Sequence, residues 1–190
     1  MTAQHTVRTY TPTKADRRLF FIIMLPALVE GVVSQLFGMI DTLMLGNTAA
    51  SAVNISAVSI ANAPFMFAVC LLNSFTIGTT TAVAFFTGQG EREKVSAAAR
   101  QSSLLMLLLS CAFAGAYYFF AVPIAAFAGA KGELLAPAVS YLRIVALGLP
   151  FEGLCFSITA SLRGVGLTKM PMIYNLTAGA ANVVMNYLLI

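Results

Sequence analysis

Two carboxylates lie inside the first long apolar segment of the chain, where a side chain of this type can hold a proton or a cation. Glu30 and Asp41 both belong to the apolar residues 19–45. About 20 such residues cross the ~30 Å hydrocarbon core of a bilayer, so the segment predicts a membrane-spanning helix. An ionisable group at bilayer depth is unfavourable by roughly 2.5–3.5 kcal/mol on insertion scales, and it usually faces a cavity or a partner. We therefore expect Glu30 and Asp41 to mark a transport path.

The spacing of the two acids places them on one face of the predicted helix. Eleven residues separate them, which turns a helix ~20° past three full turns and advances it by ~16 Å. Ser34 lies between them, about 40° from Glu30. Pro26 precedes Glu30 by about one turn and predicts a kink, because proline removes a backbone donor. This kink is either a hinge or a bend that only improves packing.

A second set of polar side chains lies in the last apolar segment. Asn175, Asn182 and Asn186 are spaced by seven and four residues, so they fall within about 40° of one another on a helix. A side-chain amide in hydrocarbon needs a partner on another helix, a bound ion or water. One interpretation is hydrogen bonding between helices alone. The other places Asn182 and Asn186 opposite Asp41 across an aqueous cavity, where their oxygens complete a proton or Na⁺ site.

Other polar residues within the apolar segments are candidates for lining the same cavity. The full set of candidates is Glu30, Ser34, Asn62, Asn73, Glu152 and Asn175.

The three cysteines lie in separate apolar segments and the single histidine lies in the polar tail, so no resident metal site is expected. A transient Na⁺ at Asp41 is the exception. No spacing of a nucleophile and a base predicts an enzyme.

The composition predicts an all-α integral membrane protein. Charged residues make up 9% of the chain and hydrophobic residues 59%, whereas ordinary globular domains have about 25% charged residues. The lipid bilayer is therefore an expected partner. The basic residues form no patch or stripe, so a nucleic-acid partner is not expected.

The order of apolar segments predicts five spans after a polar tail at residues 1–18. These spans are residues 19–45, 53–86, 95–122, 134–162 and 171–190. Nine of the eleven basic residues lie in the tail, or in and beside the connections after the second and fourth spans. By the positive-inside rule the N-terminus is then cytoplasmic. Asp41 would lie towards the outer side of the membrane and Glu30 nearer the middle.

Several motifs are spread over almost the whole chain beyond the tail. They are Pro26 with Gly38-Met-Ile-Asp41-Thr-Leu-Met-Leu-Gly46; Gly88-Gln89-Gly90 with residues 91–94; and Gly148-Leu-Pro150, Arg163-Gly164-Val-Gly166-Leu-Thr168-Lys-Met-Pro171 and Asn182-Val-Val-Met-Asn186-Tyr187. Their order and spacing, more than any single motif, resemble those of the multidrug and toxic compound extrusion (MATE) family.

The resemblance implies a twelve-helix transporter of two six-helix lobes in a bacterial-type inner membrane. Such proteins export organic cations and drugs in exchange for Na⁺ or H⁺, and no cofactor is implied. Asp41 matches the first-helix carboxylate that takes the coupling ion or proton, and Asn182 and Asn186 match positions beside it. Some relatives carry aspartate where Asn186 stands, so this chain has one titratable group fewer.

Five spans are only part of an N-terminal lobe, so we expect the chain to be a fragment of the antiporter. Transport then requires the missing second lobe, since alternating access moves one repeat against another. One alternative is a non-transporting membrane fragment or scaffold. Another is a lipid-precursor flippase of the same superfamily, which would need basic residues at mid-depth in the cavity.

Overall fold

The computed structural model describes residues 14–46 and 52–189 of the chain. For residues 41–46, at the end of the first helix, only the backbone is described. No strand occurs in these two ranges, which agrees with the predicted all-α class. The helices are α1 (Lys14–Gly46), α2 (Ala52–Gly88), α3 (Arg92–Phe119), α4 (Ala121–Phe127), α5 (Leu135–Ala146), α6 (Leu149–Gly164) and α7 (Lys169–Leu189).

Several of these helices are long and apolar enough to cross a membrane. Within the described residues, α1, α2 and α3 meet this condition, and α5 with α6 make a fourth candidate if the bent pair is one span. The 21-residue α7 is not among them, because its three asparagines lower its hydropathy. The membrane-protein class is therefore supported, whereas the count of five spans and the cytoplasmic N-terminus stay predictions.

The predicted fourth span, residues 134–162, is broken into two helices. The axes of the two parts differ by 43°, and the break lies between Ala146 and Leu149. Pro150 explains the break, because it has no amide hydrogen to give to the carbonyl of Ala146 four residues earlier. Instead α5 ends with two backbone hydrogen bonds between residues three apart. Leu147 N donates to Ile144 O at 3.2 Å and Gly148 N donates to Val145 O at 3.0 Å.

The predicted connection at residues 123–133 also contains helical structure. It includes most of α4 and a 3-10 turn at Gly132–Leu134, and the preceding span ends at Phe119 rather than 122. Gly129 and Gly132 have φ values of +107° and +57°, a region where glycine has no steric penalty. These two residues allow the chain to turn from α4 into α5.

Helices α2, α3 and α6 pack closely on one another, with α5 against α2, and we call α2 to α6 the bundle. Small residues permit the approach: a Cβ added to Gly153 of α6 would lie 2.6 Å from Ser110 Oγ of α3. Hydroxyl groups also join the helices, with Ser103 Oγ and Ser157 Oγ at 3.0 Å. By contrast, α1 packs mainly against α7. The described chain therefore consists of the bundle and a separate α1–α7 pair.

Candidate functional site

The described residues contain one buried carboxylate held by donors from two other helices. Glu30, in α1, is 8% exposed. Its Oε1 atom accepts a hydrogen bond from Arg163 Nη2 at 2.8 Å and another from Asn175 Nδ2 at 2.5 Å. Arg163 lies in the last turn of α6 and Asn175 in the second turn of α7. The contact thus links the α1–α7 pair to the bundle, and we call these three residues the Glu30 cluster.

The second oxygen of Glu30 differs from the first. Oε2 is buried and has no hydrogen-bond partner among the described residues. A buried acceptor without a donor is unfavourable by about 1–3 kcal/mol. Glu30 can therefore accept one further donor besides the two that hold Oε1.

Local sequence explains how Arg163 and Asn175 reach α1. A Cβ on Gly164 would lie 2.7 Å from Val83, so only glycine lets the end of α6 approach α2 this closely. Gly166 then turns the chain with a φ of +85°, which glycine adopts without strain. The turn leads directly into α7, which begins at Lys169 and brings Asn175 beside Glu30.

Two contacts define how α1 and α7 lie together. Glu30 contacts Asn175, and further along both helices a Cβ on Gly179 would overlap the ring of Phe37. Because both contacts advance in the same chain direction, the two helices run parallel. The absence of a side chain at Gly179 lets them approach closely.

This parallel register bears on the predicted ion site. Eleven residues separate Glu30 from Asp41, and eleven separate Asn175 from Asn186, so both helices advance by ~16 Å between these positions. Extrapolated along the helices, the Glu30–Asn175 contact places the backbone of Asp41 at about the height of Asn186, and the Phe37–Gly179 contact places it nearer residue 183. The side chain of Asp41 lies outside the described part of the structure. Its pairing with Asn182 and Asn186 therefore stays a prediction.

The two outer asparagines of α7 contact each other. Asn186 Nδ2 donates to Asn182 Oδ1 at 3.2 Å. The amides thus form a pair on one face of α7, as their four-residue spacing predicts.

The other candidate residues are not joined to the Glu30 cluster. Ser34 and Asn73 are exposed, and Asn62 and Glu152 are half-buried. The Asn73 side chain accepts a hydrogen bond from Thr76 Oγ1 of its own helix at 3.2 Å. Pro26 is buried within α1, which continues through it. Their roles as cavity-lining residues, and that of Pro26 as a hinge, stay predictions.

Arg163 is the residue of the cluster that the sequence analysis missed as a partner of Glu30. From the sequence it is only part of a loop motif and one of the basic residues that set the orientation. The available signal was the presence of a buried acid without an assigned cation, together with a basic residue at the end of an apolar segment. Nothing in the spacing of residues 30 and 163 identifies them as a pair.

Among the described residues, no group of three or more potential ligands of the His, Cys, Asp and Glu types is suited to a metal.

Comparison with known proteins places these residues in a family. The family model described as MatE matches residues 26–188, a range that contains all the proposed site residues. The chain is 29% identical over 174 residues to the probable multidrug resistance protein NorM of Thermotoga maritima, covering 92% of this chain and 37% of that protein. It is 25% identical over 177 residues to the multidrug resistance protein PmpM of Pseudomonas aeruginosa, covering 93% and 37%.

A third relative has the same character. The chain is 27% identical over 173 residues to the multidrug export protein MepA of Staphylococcus aureus, covering 87% of this chain and 37% of that protein. The chain thus spans a little over a third of the length of these bacterial relatives. No solved structure matches it with significance. Since the family model covers most of the chain, the chain belongs to the MatE family, the multidrug and toxic compound extrusion family that its motifs resemble.

Proposed function

We propose that the complete protein is a secondary antiporter that exports organic cations, drugs among them, in exchange for Na⁺ or H⁺. Membership of the MatE family supports transport, and relatives named as multidrug resistance and export proteins support drugs as substrates. The observation that supports the proposal for this chain is the parallel packing of α1 and α7 at the Glu30–Asn175 and Phe37–Gly179 contacts, from which we infer that residue 41 lies near the height of residues 183–186. This chain would form part of a six-helix N-terminal lobe, with its N-terminus in the cytoplasm of a bacterium and its helices in the inner membrane.

In this proposal Asp41 is the carboxylate for which ion and substrate compete. Deprotonated, it attracts a cationic substrate, because a charge in a low-dielectric site interacts strongly with an opposite charge. A proton or Na⁺ at the same carboxylate removes that attraction and releases the substrate outward. The amide oxygens of Asn182 and Asn186 would support a bound ion. Exchange also requires that ion and substrate favour different arrangements of the lobes, since a ligand with equal affinity for both shifts neither.

Exposed apolar side chains of α1 and α2 would suit substrates that are both cationic and apolar. Met39 on α1 and Met66 and Phe67 on α2 are exposed in the described structure. Methionine is flexible and polarisable, and it accommodates ligands of different shape. The same side chains also suit contact with lipid or with the rest of the protein.

A second lobe is required for this mechanism. The chain spans about 37% of the length of its relatives, and rocking of one repeat against another is what exposes a site to each side in turn. We therefore expect residues 1–190 alone to insert in a membrane without transporting, as in the alternative of a non-transporting fragment or scaffold.

The Glu30 cluster argues against the flippase alternative. Holding a pyrophosphate group requires free positive charge within the cavity. Arg163 is the basic residue that the described structure brings to Glu30, and its charge is paired there. The pair is neutral overall, so it offers no net attraction for an anionic lipid precursor.

Transport by the complete protein in proteoliposomes tests the proposal. We expect an imposed Na⁺ or proton gradient to drive uptake of a cationic dye such as ethidium, and the dye to drive counterflow of the same ion. Liposomes containing residues 1–190 alone are the matched control. If inserted complete protein moves no dye under either gradient, the proposed antiport is wrong.

A further inference from the structure

We propose that Glu30, Arg163 and Asn175 are positioning residues that set the height and rotation of α7 on α1, and so hold Asn182 and Asn186 level with Asp41. This inference rests on the proposed function for the importance of Asp41. The positioning itself is a statement about the two helices and can be tested without transport.

Because α7 is a regular helix, the position of Asn175 in the Glu30 cluster determines where Asn182 and Asn186 lie. Asn182 and Asn186 follow Asn175 by seven and eleven residues, which places them within ~20° of its direction and ~10 and ~16 Å further along the axis. On α1, Asp41 is likewise ~20° from the direction of Glu30. When Asn175 faces Glu30, the outer asparagines must therefore face the side of α1 that carries Asp41.

The polar contact, rather than the apolar one, defines the register. Packing of Phe37 on Gly179 brings the helices close, but apolar burial has no preferred direction. The hydrogen bond from Asn175 to Glu30 has a narrow range of distance and angle. Sliding α7 by one residue, about 1.5 Å, would break this bond while leaving much of the apolar contact.

Arg163 fixes the position of the α1–α7 pair against the bundle. The end of α6 is held against α2 by the close approach of Gly164 to Val83 and by a hydrogen bond from Thr80 Oγ1 to Ala160 O at 3.2 Å. From this fixed position Arg163 reaches Glu30. The ion pair thus gives the α1–α7 pair a defined place against the bundle.

Disulfide cross-linking in the complete protein tests the positioning directly. The parent is a cysteine-free variant that carries Phe37→Cys and Gly179→Cys, with a protease site between α2 and α3 to reveal the cross-link. We expect rapid cross-linking by a mild oxidant in the parent. Asn175→Ala should slow it at least fivefold, because α7 loses its directional contact with α1.

A matched control separates positioning from a general loss of polarity in α7. Thr177 lies on the same helix, and its hydroxyl bonds to the carbonyl of Ile173 one turn earlier at 2.8 Å, not to α1. Thr177→Ala should cross-link at the parent rate. The proposal is overturned if the parent does not cross-link, or if Asn175→Ala cross-links as fast as the parent.

Variants of Glu30 provide a second, conservative comparison. Glu30→Gln keeps an oxygen that accepts from Asn175, and the Arg163 side chain is 36% exposed, so it can remain hydrated. We expect Glu30→Gln to cross-link within twofold of the parent, and Glu30→Ala to be as slow as Asn175→Ala. Equal rates for Gln and Ala at this position would contradict the positioning role.

A transport measurement then distinguishes this inference from the proposed function. Asn175→Ala should raise the coupling-ion concentration for half-maximal transport at least fivefold while the maximal rate stays within twofold. A purely structural role would lower the amount of folded protein without this shift, and that result would overturn the proposal. If the parent protein itself transports nothing, the proposed function is wrong, and the cross-linking rates still decide the positioning.

Discussion

The guanidinium of Arg163 lies 2.8 Å from the carboxylate of Glu30, although 133 residues separate them in the chain. One residue belongs to the bundle and the other to the α1–α7 pair. The same carboxylate oxygen also accepts from Asn175. A single buried oxygen therefore connects three helices, and changes at this point should affect both stability and the geometry of the proposed ion site.

Removing the cation of this pair should destabilise the complete protein. Arg163→Ala leaves a buried carboxylate without its charged donor, which is unfavourable by about 1–3 kcal/mol for an unpaired buried group. Samples are heated and then analysed by size-exclusion chromatography. We expect Arg163→Ala to lose half of its monodisperse peak at a lower temperature than the unchanged protein. Arg92→Ala, at the exposed start of α3, is the matched control. Equal stability of the two variants would argue that the ion pair contributes nothing to folding.

The close approach of α1 and α7 makes Gly179 intolerant of a side chain. Gly179→Ala places a Cβ within the ring of Phe37, and overpacking of this kind typically destabilises by about 1–3 kcal/mol. The heating assay above should show the loss. Adding Phe37→Ala to Gly179→Ala should recover part of it, because the obstructing ring is gone.

Another helical glycine supplies the control for this prediction. A Cβ on Gly78 of α2 meets nothing within 4 Å, so Gly78→Ala should be neutral or stabilising by up to ~1 kcal/mol through helix propensity. A loss of stability at Gly78 as large as that at Gly179 would show that the Phe37 contact is not the cause.

The role proposed for Asp41 predicts a loss of drug resistance. In an efflux-deficient bacterium that produces the complete protein, Asp41→Asn should reduce resistance to that of cells without the transporter, because an amide can neither take up a proton nor attract a cation by charge. Membrane abundance, measured by immunoblot, should not change. Asp16→Asn makes the same substitution outside the apolar segment and should leave resistance unaltered. Full resistance of Asp41→Asn would exclude its proposed role.

The distribution of basic residues predicts which side of the membrane each connection faces. A cysteine at Glu93, in the first turn of α3, should react with a membrane-impermeant maleimide only after the cells are opened. A cysteine at Lys131, between α4 and α5, should react in intact cells. The reverse labelling pattern would overturn the predicted cytoplasmic N-terminus.

Helix positions were predictable because each depends on neighbouring residues. The predicted spans 19–45 and 53–86 fall within the observed helices Lys14–Gly46 and Ala52–Gly88. They were predictable because the free energy of transferring apolar side chains out of water is a sum over neighbouring residues. The break before Pro150 also had a local cause in the missing amide hydrogen. Hydropathy alone does not reveal this break, because it treats residues 134–162 as one continuous apolar segment.

The sequence by itself determined the class of this protein, its family, and the presence of acids and amides that need partners within a membrane. A charged residue in an apolar segment shows that a partner is required, because burial without one is costly, but it does not identify that partner. Only the tertiary structure decided that Glu30 is joined to Arg163 and Asn175, and that Phe37 lies on Gly179. These contacts depend on how helices distant in the chain pack, which the pattern of any one helix does not specify.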